Sequence, residues 1–324
     1  MLGVIYADPY GREMGFVDYC AGDFTIGTSN SFKLQVPANL GIARDWYLMI
    51  DNEEYGGIVE GLDVVTTEGH VTAVGLTWHG LLEAALVKPP PGQSHRTATG
   101  ECNAVLGQIV DLLGLGYCMA ADEADSGFSV SGWRFTREAE AMGGYSQARA
   151  MLRSVGAKLR IRYDSASRKA ILSAVPRADY TEEGIDGDRA AFSISTRRPV
   201  NHLHCMGSGE GADRLTLDLY ADASGRISRT QTLTGRAHRE EAYDNPSADL
   251  AELEEYGTQR LAGYQAAREK CTLPREDAGQ YDIDDIVGAT STRHGVSVIT
   301  SVAQKVATVS GSKITYETKT EMEV

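Results

Sequence analysis

His202 and His204 stand two apart in an alternating run, which puts both imidazoles on one side of a strand, with Cys205 next in sequence. Imidazole and thiolate are zinc donors, and a tetrahedral site takes about four of them. No second clustered pair of ligands is visible, so the plain reading is two polar groups on an exposed sheet face, and whether His202 and His204 bind a metal stays open. The loop Gly207-Ser208-Gly209-Glu210-Gly211-Ala212-Asp213-Arg214 follows a strand-like run, as a phosphate cradle must. After it, Leu215, Leu217 and Leu219 alternate with Thr216 and Asp218. That pattern predicts a strand, so no helix N-terminus is offered to a phosphate. The loop reads as a glycine bend at a strand edge.

Two groups of carboxylates are of the residue type that acid–base or metal chemistry needs. Asp122, Glu123 and Asp125 precede Ser126-Gly127, but not at the spacing of a calcium loop. Asp282, Asp284 and Asp285 surround Ile283 and Ile286 and read as a solvated strand start. No serine sits in a Gly-x-Ser-x-Gly elbow, and no Cys/His pair is locally arranged for nucleophilic work. Arg160 and Arg162, with Arg134 and Arg153, form a modest basic face. It reads as a solvated hairpin surface or, as the minority reading, as a contact for an acidic neighbouring subunit. No catalytic, cofactor-binding or metal-binding residue is therefore assigned, and no cofactor is expected.

The elements that would carry these groups are mostly short strands. In residues 30–79, Phe32, Leu34 and Val36 alternate with Lys33 and Gln35 until Pro37. Residues 47–50 are an apolar run stopped at Asp51-Asn52. A strand resumes over 58–65 after Gly56-Gly57, and 70–78 alternates again into Gly80-Leu81-Leu82. Period-two patterning broken by Gly, Asn, Asp and Pro marks antiparallel strands, and strands this close in sequence favour a small barrel or sandwich. Residues 3–6 and 15–19 add two more around the turn Asp8-Pro9-Tyr10-Gly11.

From Glu101 the texture changes. Val105, Ile109, Leu112 and Leu113 sit at helical spacing, with Thr99 as the expected N-cap. Residues 146–155 repeat the pattern, capped by Ser146, and 128–135 between them reads as a strand. Leu159, Ile161 and Tyr163 then start a hairpin that returns over 169–175. After Val200, strands enclose one long helix over about 247–270, and strands over 281–287, 295–309 and 313–318 finish the chain. The expected organisation is mainly β with an α+β insertion: domains at 1–95, 98–178 and 190–324, the outer two being small antiparallel β-barrels that flank the α+β domain.

With 324 residues and 42% hydrophobic residues, the chain can bury two or three cores. Its 45 acidic residues against 31 basic ones give a net charge of −14, which disfavours sequence-specific binding to a phosphate backbone. No apolar run is long enough to span a membrane. The first twelve residues, with Asp8-Pro9 inside them, do not read as a signal peptide. The five scattered cysteines read as reduced thiols of a protein made in the cytoplasm. Trp46, Trp78 and Trp133 fall within strand patterns and read as core residues.

Several of these steps resemble siphophage tail hub proteins, also described as tail-associated, tail-tip or baseplate hub proteins, which are related to contractile-tail and secretion-spike hubs. The matching pieces are Val36-Pro37, Gly56-Gly57-Ile58-Val59-Glu60, Val71-Thr72-Ala73-Val74-Gly75-Leu76 and Gly80-Leu81-Leu82 in the first barrel. The loop 207–214, the step Tyr281-Asp282-Ile283-Asp284-Asp285-Ile286-Val287-Gly288 and the closing strands from Lys305 to Tyr316 match in the last unit. Asp284 departs from the pattern, standing where the family often has Gly. The resemblance implies a structural, non-enzymatic virion component of a phage or prophage, assembled in the host cytoplasm. It implies a homotrimer with two barrels per subunit, six barrels in all, matching the hexamer of the distal tail protein above it. The tape measure protein and tail-tip or receptor-binding proteins would be its other partners, and DNA would pass its channel without specific binding. Longer family members carry host-facing domains, some of them cell-wall hydrolases, so this chain reads as the bare hub. The competing readings are a cell-wall-acting enzyme or carbohydrate-binding module on a β-rich scaffold, and the hub of a contractile injection system.

Overall fold

Residues 31–37 show how the patterning becomes structure. Phe32, Leu34 and Val36 are buried on one face of a strand, while Ser31, Lys33 and Gln35 are exposed on the other. The computed structural model describes residues 3–50, 53–137, 142–186, 193–266, 269–272, 281–311 and 313–322. In chain order its elements begin with β1 (Val4–Ala7), β2 (Glu13–Phe16), β3 (Ala21–Ile26), β4 (Ser31–Pro37), β5 (Tyr47–Ile50), β6 (Gly56–Val64), β7 (His70–Thr77) and α1 (Trp78–Ala84). They continue with β8 (Thr97–Glu101), α2 (Cys102–Leu112), β9 (Met119–Ala121), β10 (Ser129–Arg134), α3 (Gly144–Arg153), β11 (Ala157–Asp164) and β12 (Lys169–Pro176). Next come β13 (Asp179–Asp186), β14 (Ser193–Thr196), β15 (His202–Met206), β16 (Thr216–Ala221), β17 (Ile227–Ser228), β18 (Glu240–Asp244) and α4 (Leu250–Ala266). The last strands are β19 (Glu269–Thr272), β20 (Ile286–Ser291), β21 (Val296–Ser310) and β22 (Lys313–Met322). The protein is mainly β, and among the described residues no helix is long and apolar enough to cross a membrane.

The chain forms two compact units. The first comprises Met1–Asp179, Pro274–Asp285 and Val302–Thr318. Its largest sheet runs from the second half of β21 through β3, β4, β7, β6, β5 and β1 to β2, antiparallel at every step. Among the described residues this ladder stays open between β2 and β21. Against it lie α1, α2, α3 and the sheet β11–β12–β9, in which β9 pairs parallel to β12. One core joins them: Ile5, Tyr47 and Trp78 pack with Val105 and Ile109 of α2, Met151 of α3 and Ile161 and Leu172 of the hairpin. Trp78 is completely buried, edge-on to Tyr47 at 5.4 Å and stacked on Tyr163 at 5.7 Å, whereas Trp46 and Trp133 are half-buried.

Several local expectations are corrected. Thr99 does not cap α2. Glu101 does, accepting from the Asn103 and Ala104 amides at 2.9 and 2.8 Å, and it also accepts from the Ser126 amide. Burial raises its carboxyl, but these bonds outweigh that and hold it down at about 2. Ser146 does not cap α3, which begins at Gly144. Its amide and hydroxyl donate instead to Glu83, at 2.8 and 2.7 Å. The strand expected over 281–287 begins only at Ile286, because the preceding residues form a turn.

His79, at the start of α1, is buried against Tyr145 with ring centroids 5.2 Å apart. Its Nδ1 has no protein partner. Burial, with Lys305 and Arg149 nearby, pushes its pKa down to about 3. The unfolded chain thus binds a proton near pH 6.5 that the folded chain refuses until about pH 3, so stability falls as pH falls through that window. At about 1.4 kcal/mol per pH unit, this group should remove about 2.5 kcal/mol between pH 6 and pH 4. Urea unfolding of His79→Phe at both pH values should show the acid loss reduced by that amount. An identical loss in both proteins would refute the assignment.

The second unit comprises Tyr180–Leu273, Ile286–Ser301 and Lys319–Val324. Its centre is the sheet β17–β16–β15–β18, with β15 antiparallel to β16 and parallel to β18. Leu203, Cys205, Leu217 and Leu219 point to one side and pack with Leu253 and Leu261 of α4. The helix is shorter than the expected 247–270; residues 267 and 268 lie outside the described residues. Gly257 lets it approach closely, since a Cβ there would stand 2.7 Å from the Cys205 sulfur.

Candidate functional site

Alternation along β15 sends Leu203 and Cys205 to the helix side and His202 and His204 to the other. Cys205 is therefore buried on the opposite face from the imidazoles and cannot share a site with them. The face itself is more structured than two exposed polar groups. His202 is 8% exposed, stacked on Tyr220 at 4.3 Å. Asp218, paired opposite His204 on β16, receives both histidines on one oxygen: His202 Nε2 and His204 Nδ1 each lie 2.8 Å from Asp218 Oδ1. Burial raises the Asp218 carboxyl, but the two imidazoles outweigh that and hold it below the usual carboxylate range. An ionised carboxylate only accepts, so both nitrogens donate to it, and neutral His202 keeps its lone pair on Nδ1.

Two residues distant in sequence complete this face. His238 Nε2 lies 2.9 Å from His202 Nδ1, and Glu240 Oε1 lies 3.5 Å from that nitrogen. Glu240 is placed by the parallel pairing of β18 with β15, where it stands opposite His202. His238 is placed by Asn201, which is buried. The Asn201 side-chain amide donates to the Ala237 carbonyl at 2.7 Å, and its oxygen accepts from the Arg239 amide at 3.0 Å. The backbone on both sides of His238 is thus gripped by one side chain. The i, i+2 histidine spacing was legible in the sequence; His238, Glu240 and Asp218 carried no local signal.

The carboxylates at 282–285 are not a solvated strand start. Asp284 and Asp285 are each 1% exposed. Asp284 accepts two parallel bonds from Arg149, at 2.9 and 2.7 Å, with Arg153 3.9 Å away. Asp285 accepts from Lys158 Nζ at 2.7 Å and from the Ala178 and Asp282 amides at 3.0 and 2.8 Å. Lys158 also reaches Asp282 at 3.0 Å, and Lys305 bridges Glu54 and Asp282 at 2.5 and 3.1 Å. Asp284 has φ +72°, the left-handed conformation that glycine favours. Asp284 thus holds a left-handed turn position and at the same time supplies a carboxylate to Arg149.

The polar groups of the glycine loop after β15 bond within the loop and to the segment that leads into α4, where the Ser208 amide donates to the Ala248 carbonyl at 3.0 Å and Arg214 pairs with Asp244. The Gly207 amide donates to the Leu215 carbonyl at 2.8 Å and the Leu215 amide to Ser208 at 2.8 Å, while Arg214 Nε holds the Gly207 carbonyl at 3.2 Å. Gly209 and Gly211 take φ +101° and +58°, and a strand follows. Asp122 and Asp125 likewise serve local turns, accepting from the Ala124 and Gly127 amides at 3.0 and 2.9 Å. Arg153 is drawn toward Asp284, Arg160 is half-buried, and Arg134 and Arg162 are exposed.

No family model and no curated protein sequence matches the chain. Among solved structures, the fold is similar to the tail protein from Neisseria meningitidis MC58, with a TM-score of 0.56 at 13% identity, covering 99% of this chain and 97% of that one. It is equally similar to the 43 kDa tail protein of prophage MuSo2 from Shewanella oneidensis, with a TM-score of 0.56 at 13% identity over 99% and 98% of the two chains. The chain has the fold of these phage tail proteins along nearly its whole length.

Proposed function

We propose that this chain is a structural phage or prophage tail hub protein that forms a trimeric ring at the distal end of the tail. The observation that carries the reading is the end-to-end correspondence with two phage tail proteins, in which nearly all of both chains is covered despite 13% identity. In this reading each subunit contributes two β modules, one from each compact unit. Three subunits then offer six modules to the hexameric distal tail protein, with the tape measure protein and the tail-tip or receptor-binding proteins as further neighbours.

Two features support assembly rather than catalysis. The buried charges near 282–285 are consumed by internal pairs that hold the turn in place. Among the described residues β2 is an edge strand carrying the exposed Met14 and Phe16, flanked by the exposed Tyr10 and Tyr19. Such an apolar edge is one that a neighbouring subunit would cover. The acidic balance of −14 suits a channel through which DNA passes without adhering. The test is mass in solution. Light scattering after size exclusion should give a particle of three 34.9 kDa chains that shows threefold symmetry by negative stain. A stable monomer at micromolar concentration would overturn the reading.

A further inference from the structure

We propose that His202, His238 and Glu240 form a binding site for a borderline divalent metal ion, zinc foremost, on the face of the second unit's sheet away from α4. One donor atom from each of the three residues lies within 4.8 Å of the others. Two zinc-bound atoms at tetrahedral angles and bond lengths of about 2.0–2.1 Å stand about 3.3 Å apart. The His202–Glu240 separation of 3.5 Å already matches that spacing, and the His202–His238 separation of 2.9 Å needs to open by a few tenths of an ångström. With His202 Nδ1 as acceptor, His238 Nε2 is the donor in this contact; when the ion binds, that single hydrogen passes to His238 Nδ1 by way of solvent, no proton is released, and Nε2 presents its lone pair to the metal.

The surroundings match what a metal-binding histidine requires. A ligating imidazole commonly donates its other N–H to a carboxylate, which fixes the tautomer and strengthens the ligand. His202 Nε2 does this to Asp218 at 2.8 Å, leaving Nδ1 to face His238 and Glu240. The stack on Tyr220 fixes the ring plane, and Asn201 holds the backbone around His238. Two imidazoles and one carboxylate select zinc, cobalt or nickel over calcium or magnesium, which prefer all-oxygen sites. Three protein ligands leave a fourth position for water. His204 belongs to the Asp218 hydrogen-bond network and is not a ligand, so the site differs from the pair that adjacency in sequence picks out.

The site is tested with the full chain, produced without a polyhistidine tag and stripped with chelator, by titration with zinc and with cobalt. The expected result is saturable binding of one ion per chain, with cobalt giving the visible absorption of a four-coordinate centre and excess calcium or magnesium not competing. His238→Ala and Glu240→Gln should each weaken zinc binding by about 10–100-fold, and Asp218→Asn by a similar factor through loss of the outer hydrogen bond. His204→Ala should bind as the parent does. Far-ultraviolet circular dichroism would identify any variant that fails to fold, and the cobalt spectrum of the exposed Glu240→Gln variant then decides alone. Absence of saturable binding, or equal losses in His204→Ala and His238→Ala, would overturn the assignment.

Discussion

Replacing Asp285 with alanine should lower the unfolding free energy by about 3–5 kcal/mol, the usual cost of removing one partner from a buried ion pair. The carboxylate lost is 1% exposed and meets Lys158, whose side chain is 8% exposed, at 2.7 Å. It also accepts the Ala178 and Asp282 amides, so the substitution leaves two N–H groups without their acceptor and the Lys158 ammonium with the half-exposed Asp282 alone. Asp282 cannot take over, because it is half exposed and already shared between Lys158 and Lys305. Asp285→Asn should cost less, since an amide oxygen still accepts although it carries no charge. The double change Lys158→Met with Asp285→Leu should recover much of the loss, because apolar residues of similar volume often replace a buried pair at little net cost. Urea unfolding followed by circular dichroism measures all three. A loss under about 1 kcal/mol for Asp285→Ala, the range of an exposed pair, would show that this network does not hold the turn.

That network also marks where the sequence stopped being readable. Period-two alternation located β4, β7, β11 and β12 almost to the residue, since a half-buried strand writes its burial into every second side chain. The same rule placed Asp282, Asp284 and Asp285 on a solvated strand, because acids beside isoleucines look alike whether water or a cation faces them. Their partners Lys158 and Arg149 lie 124 to 135 residues earlier, and nothing local records that pairing. The His face divides the same way. Adjacency named His202 and His204, and alternation alone could have removed Cys205 from their side. His238 needed the turn that Asn201 grips, 36 residues away. The caps failed for a smaller reason: Thr99 and Glu101 both offer oxygens, and the strand ladder that sets where the helix begins is not local information. The glycine steps of β6 and β7 were legible as a pattern, but their cause lies in the third dimension.

That cause leads to the second large effect. Gly75→Ala should destabilise the first unit by about 4 kcal/mol or more and leave most of the protein insoluble, a loss found only where packing or backbone geometry is violated. A Cβ on Gly75 would stand 2.1 Å from the Ile58 carbonyl oxygen and 2.6 Å from the Phe32 ring. Gly57 is its counterpart: a Cβ there would stand 2.0 Å from the Leu76 carbonyl oxygen. The pairing register is Ile58 with Leu76, Gly57 with Thr77 and Val59 with Gly75, so each glycine abuts the neighbouring strand's backbone. A backbone oxygen cannot rotate aside as a side chain can. Relief requires β6 and β7 to separate, which breaks their ladder and lifts Phe32 from the core. Gly57→Ala should therefore fail in the same way. Gly69→Ala, in the turn joining the two strands with nothing within 4 Å of its Cβ, is the matched control. It should be neutral or stabilising by up to about 1 kcal/mol through the unfolded chain. Soluble yield and urea midpoints of the three variants separate the outcomes: if Gly75→Ala unfolds within 1 kcal/mol of the parent, the strands are not as close as the register requires, and the glycine steps need another explanation.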